Sequence, residues 1–102
     1  MYELNVSGRA RHDIDGIISY ISNSLFAPTA AMSLAEKIDK CFDKIEENPY
    51  FYPECLDLRL KNEGFRRALV GNYVMIYKIY EETKSVIAHY VFHSSQDYAN
   101  LI

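Results

Sequence analysis

The stretch from Gly64 to Tyr77 limits this chain more than any other. Phe65 to Val70 and the run that begins at Tyr73 are rich in strand-forming residues, and only Gly71-Asn72 divides them. Both turn residues tolerate positive φ, which a two-residue hairpin needs. The spacing predicts two antiparallel strands on a tight turn. Arg66 and Arg67 stand side by side on the first strand, so their side chains leave on opposite faces. One cation is therefore turned away from the core in an otherwise acidic chain. The second strand runs from Tyr73 to Tyr80. After the polar turn Glu81-Glu82-Thr83-Lys84, a third runs from Ser85 to Phe92. Alternation places Tyr73, Met75, Tyr77 and Ile79 on one face and Val74, Ile76, Lys78 and Tyr80 on the other. The same rule groups Val86, Ala88, Tyr90 and Phe92 against Ile87, His89, Val91 and His93.

Upstream, the period changes. Tyr2 to Val6 alternates as a short strand, and Ser7 is placed to cap the helix that follows. Ala10, Ile14, Ile17, Ile18, Ile21 and Leu25 recur at helical spacing and form one apolar stripe. Gly16 lies within it, a position expected to admit a close neighbour. Phe26-Ala27-Pro28 breaks the pattern, and Pro28 suits the first turn of a second helix. That helix carries Ala31, Leu34, Ala35, Ile38, Cys41, Phe42 and Ile45, and Asn48-Pro49 ends it. Pro49-Tyr50-Phe51-Tyr52-Pro53 reads as a rigid loop whose rings pack over one end of the sheet. The tail from Gln96 to Ile102 is expected to form a short element that packs back.

The expected architecture is α+β, in the order β-α-α-β-β-β. An antiparallel helical hairpin packs on a mostly antiparallel four-stranded sheet, with a short C-terminal element. The 102 residues are expected to be a single domain, 1–102. The net charge of −3 shows no basic stripe, only local cations at Arg59, Lys61, Arg66 and Arg67. That argues against direct sequence-specific DNA binding by this chain alone. No apolar run is long enough to cross a bilayer, and no signal-peptide pattern is visible, so a cytoplasmic protein without membrane contact is expected. Cys41 and Cys55 read as two reduced thiols. No ligand spacing for a metal occurs, and no cofactor is expected.

The ordered set of these signals resembles the RelE/ParE superfamily of toxins from bacterial type II toxin–antitoxin modules. The resemblance rests on Val6-Ser7 with Ala10 and Asp13-Ile14, on Pro28 with Ala31, and on Asn48-Pro49. It continues through Gly64-Phe65-Arg66-Arg67, Val70-Gly71-Asn72-Tyr73, Ile76-Tyr77 and His93 to Asp97-Tyr98. It implies a toxin used in growth inhibition and plasmid stabilisation and neutralised by a cognate antitoxin. Two activities are implied by the superfamily. RelE-like members are ribosome-dependent mRNA endonucleases, and ParE-like members act without cleavage, on DNA gyrase where studied.

A nuclease needs cations at the scissile phosphate and a proton-transfer group beside it. The residues that remain for that are Arg66 or Arg67, His89, His93 and Tyr98, of which Arg66, Arg67, His93 and Tyr98 are the expected nuclease set. In RelE-type proteins an arginine follows the hairpin tyrosine, where this chain has Val74. Ala68 and Val70 stand on the same face as Arg66 without charge, and Ser95 and Gln96 stand where an arginine precedes the Asp-Tyr pair. The thinned cluster favours the ParE-like branch, for which the resemblance implies inhibition of an essential machine such as DNA gyrase. The alternatives are a RelE-like endonuclease working with ribosome and mRNA, and a degenerate toxin that only binds antitoxin. Arg59, Lys61, Arg66 and Arg67 are the expected contacts for target or antitoxin. For Arg67, the plain structural alternative is an ion pair with Asp13 or Asp15.

Overall fold

The computed structural model describes Met1–Ile102 throughout. β1 (Glu3–Val6) leads into α1 (Gly8–Ser19), which passes through a π-helical turn at Tyr20–Ser24. α2 (Pro28–Glu47) returns antiparallel, and a loop with a short α3 (Leu58–Asn62) leads to β2 (Phe65–Val70), β3 (Tyr73–Tyr80) and β4 (Ser85–His93). One helical turn, Tyr98–Asn100, follows. The sheet order is β1-β4-β3-β2, with β1 parallel to β4 and the other neighbours antiparallel. The expected order and fold class hold. Gly71 has φ 60°, as the tight turn requires.

The sheet has two differently covered faces. Ile14, Leu34, Ile38 and Ile45 from α1 and α2 meet Ala68, Met75, Tyr77, Ala88 and Val91 on one face. On the other, Cys55 and Leu60 cover Phe65, Val74, Ile76 and Phe92, and Tyr98 and Ile102 pack at the margin. α3 was not foreseen, because five residues are too few to show a period. The Asp57 carboxylate caps it by accepting the Leu60 N–H at 3.0 Å, and Leu60 is fully buried.

Strict alternation fails in β4. Ile76 pairs with Tyr90 but Tyr77 pairs with Ala88, so His89 is an extra residue in a bulge. Everything after it changes face. Val91 joins Val86 and Ala88 beneath the helices, while Phe92 lies in the opposite cluster with Tyr90 packed against it. A second phase change affects α1. The Leu25 N–H donates to the Tyr20 carbonyl at 3.0 Å, five residues back, and this wider turn rotates Leu25 off the buried stripe. Leu25 is 53% exposed. Gly16 has no close neighbour; an added Cβ there would meet nothing.

Beyond Val6, the edge of β4 has no strand partner, and α1 supplies side chains instead. The Ser7 hydroxyl accepts the Ala10 N–H at 3.0 Å and donates to the His89 carbonyl at 3.0 Å. Asp13 accepts the Val91 N–H at 3.0 Å and pairs with Arg9 at 2.9 Å. Ser7→Ala loses a cap and a strand-edge bond together, with an expected cost of about 1–2 kcal/mol. Ser7→Asp, a good cap elsewhere, is not expected to restore wild-type stability, because a carboxylate cannot donate to the His89 carbonyl. Urea unfolding of both variants checks this, and a Ser7→Asp protein as stable as wild type contradicts it.

Candidate functional site

The adjacent arginines do separate to opposite faces, with different fates. Arg66 lies on the helix side with Ala68 and Val70. Its Nε donates to the Tyr52 carbonyl at 2.9 Å and Nη2 to the Tyr50 carbonyl at 3.4 Å. The guanidinium lies 5.4 Å from the Tyr50 ring centre. Arg66 thus fastens the aromatic loop to the sheet edge. Arg67 faces the other way, and its backbone N–H donates to Pro53 at 2.9 Å. Its side chain lies near Cys55 and Tyr98, where burial pushes both groups up, Cys55 to about 11, against the pull of the guanidinium. Arg67 forms no ion pair, and its buried Nε has no hydrogen-bond partner. The alternative of a bond to Asp13 or Asp15 does not hold, since α1 covers the opposite face and Asp13 is engaged by Arg9 and Val91.

His93 is exposed on the helix side, its ring 5.3 Å from that of Tyr73. The Ser95 N–H donates to Nδ1 at 3.1 Å, and the Ser95 hydroxyl lies 2.7 Å from the same nitrogen. Tyr98 is across the sheet, stacked on Phe92 with ring centres 5.9 Å apart. The four residues a nuclease would use therefore divide. Arg66 and His93 lie on the helix side, and Arg67 and Tyr98 on the other. Arg59 is occupied internally: Nη2 donates to the main-chain oxygens of Ala99 at 2.6 Å and Ile102 at 3.2 Å, and Nη1 pairs with Glu63 at 3.0 Å. It latches the C-terminal turn. Of the four expected contact cations, only Arg59 forms an ion pair; Arg66 is held by loop carbonyls, and the side chains of Arg67 and Lys61 have neither an ion pair nor a hydrogen bond.

Other groups gather on the open face of the sheet. On the Arg67 side, Lys78 lies 5.2 Å from the Phe65 ring centre and 6.0 Å from that of Tyr80. His89 Nε2 is 3.1 Å from the Tyr80 hydroxyl, and burial, with Lys78 nearby, lowers the His89 pKa. Arg9 covers Tyr90 and Phe92, its guanidinium 5.3 and 5.7 Å from the ring centres. This face is thus a row of aromatic rings beside cations, with Tyr80, His89 and Tyr90 partly exposed and Phe65 and Phe92 buried. Beside it, the outer edge of β2 is half covered. Cys55 donates to Phe65 and Arg67 to Pro53, after which no backbone bond reaches the outward groups of Leu69. Leu69 is 60% exposed.

At the far end of the sheet, Tyr2, Tyr50 and Lys84 all donate to the Glu81 carboxylate. The three donors, led by Lys84, hold its pKa down at about 2, from an ordinary 4.5. The folded value lies below the unfolded one, so ionised Glu81 favours the folded state above pH 4.5. That contribution is lost as the pH falls from 4.5 towards 2. A melting-temperature profile against pH is expected to fall less steeply in this window for Glu81→Gln. An identical slope in the two proteins contradicts this.

Comparison with known proteins places this geometry. A sequence model of the family described as "ParE toxin of type II toxin-antitoxin system, parDE" matches residues 4–98. The chain belongs to the ParE toxin family. It is a toxin of the type II toxin–antitoxin class. No curated protein matches it at a significant level. Among solved structures, it is similar to a chain of the chromosomal ParDE system from P. aeruginosa, with TM-score 0.73 and 14% identity over 91% of this chain and 96% of that one. It is also similar to a chain of the RelBE2 toxin–antitoxin complex from Mycobacterium tuberculosis, with TM-score 0.63 and 22% identity over 90% of this chain and 96% of that one. At such identities the likeness is one of fold. No helix of this ParE-family chain is long and apolar enough to cross a membrane.

Proposed function

We propose that this ParE-family toxin inhibits an essential machine by binding it, with DNA gyrase as the first candidate. The observation that carries this is the division of Arg66, Arg67, His93 and Tyr98 between two faces of the sheet. Cleavage of mRNA needs its cation and its proton-transfer group at one phosphate. Arg66 is held by loop carbonyls and His93 by Ser95, on the side away from Arg67 and Tyr98. The toxin acts in the cytoplasm as a single domain over residues 1–102.

A cognate antitoxin holds it inactive. The structural neighbours come from toxin–antitoxin systems, which supports such a partner. The open β2 edge at Leu69 suits an extended segment added as a strand, and folding on binding lets a short chain cover a long surface. Arg67, unpaired beside that edge, suits an acidic side chain of the segment, with Lys61 as a second contact. The cations and rings around Arg67, Tyr98, Lys78 and His89 favour one second reading. In that reading, a RelE-like endonuclease works on this single face, and the ribosome supplies most of the binding. Purified gyrase and relaxed plasmid test the first reading. Loss of supercoiling at stoichiometric toxin, reversed by the antitoxin, is the expected result. Full supercoiling at excess toxin that still arrests growth removes gyrase as the target.

A further inference from the structure

The tip of the helical hairpin is uncharged over an unusual length. From Gly16 to Ala35, twenty consecutive residues include no Asp, Glu, Lys, Arg or His, in a chain 25% charged. The same tip exposes large apolar side chains: Phe26 at 87%, Met32 at 66% and Tyr20 at 55%. Its backbone is also unusual. A π-helical turn leads into it, and Phe26 has φ 51°. The left-handed position after a helix is normally glycine, and a bulky residue there is strained. The ring that this conformation holds out touches almost nothing in the monomer. Strain retained without an internal contact points to an external one.

The hairpin also carries the complement of that ring. A groove of about 480 Å³ opens between α1 and α2, floored by Ile14, Ile18, Ile38 and Phe42 and edged by Asp15 and Asp39. It has room for a phenyl ring. A knob and a hole on one element are what a twofold interface between identical chains requires. We propose that a second copy of this chain covers the tip. The two hairpins pack antiparallel, and each Phe26 enters the groove of the other copy. Ile14 lies twelve positions before Phe26, roughly 18 Å down the helix, so an overlap of that length aligns both pairs at once. Charge favours the same occupant. Two chains of net charge −3 meet with less repulsion at a tip that carries no charge of its own, and Arg11, which also lines the groove, offsets part of its Asp15 and Asp39 edge. A tip without cations has nothing to offer a phosphate backbone or an anionic membrane surface. The proposal is independent of the target and of the antitoxin.

Sedimentation equilibrium of the free toxin, wild type and Phe26→Gly, tests it across micromolar concentrations. Glycine suits the positive φ, so the variant is expected to fold with an unchanged far-ultraviolet spectrum and no lower melting temperature. Wild type is expected to be a reversible dimer, and Phe26→Gly to associate at least ~30-fold more weakly, the loss of a hot-spot anchor. A wild type that stays monomeric overturns the proposal, as does a Phe26→Gly protein that dimerises as tightly. A monomeric wild type whose Phe26 is needed to bind gyrase or lipid vesicles also overturns it, and gives the tip to that partner.

Discussion

Tyr77→Ala is expected to destabilise the protein by about 3–5 kcal/mol, a large part of what a domain of this size has in total. Tyr77 is fully buried, the largest such side chain in the chain. Its ring lies beneath the helices and meets Tyr52 edge-on at 6.4 Å. Its hydroxyl donates to the Pro49 carbonyl at 2.6 Å, and burial pushes its pKa up to about 12. One residue thus fills the core and holds the loop at the end of α2. Tyr77→Phe separates the two roles. It keeps the volume and leaves the Pro49 carbonyl without its donor, so it is expected to cost about 1–3 kcal/mol. Urea unfolding followed by circular dichroism gives both values. A Tyr77→Ala protein with the wild-type midpoint contradicts this account of the core.

Arg67→Ala is expected to reduce growth arrest at least tenfold while leaving the melting temperature within a few degrees of wild type. Folding gains little from this side chain. It makes no ion pair, and its Nε is buried without a partner, a cost that alanine removes. Binding gains from the same group, because a partly desolvated cation forms a strong bond with an incoming carboxylate. Arg66→Ala is the internal control. It releases the Tyr50 and Tyr52 carbonyls, so it is expected to lose stability first and toxicity only in consequence. Induced expression in growing cells, with purified variants melted in parallel, reads both quantities. A folded Arg67→Ala protein with full toxicity removes Arg67 from the surface that binds the target.

The hairpin around Gly71 was legible because its turn chemistry and its alternation agree. The two long helices were legible from their stripes and from Pro28 and Asn48-Pro49. The bulge at His89 was not, since it adds one residue to β4 with no glycine or other local mark, and so Tyr90, Phe92 and His93 were given the wrong faces. The π-turn misled in the same way at Leu25. Site residues were harder because their roles depend on distant chain. Arg59 could be read as a latch only once Ala99 and Ile102 were seen beneath it. Glu81 gains its meaning from Tyr2 and Tyr50, far off in sequence. The uncharged run from Gly16 to Ala35 was visible in the sequence all along; its exposure, and the conformation of Phe26, were not.

Whether this ParE-family toxin cuts RNA decides most about the account. Primer extension on an mRNA in a reconstituted translation system, with and without the purified toxin, answers it directly. Intact mRNA is expected, from a preparation that still arrests growth when expressed in cells. Codon-positioned cuts that appear only with ribosomes would contradict the account, and would make Arg67, His89 and Tyr98 on the open face of the sheet the first residues to replace.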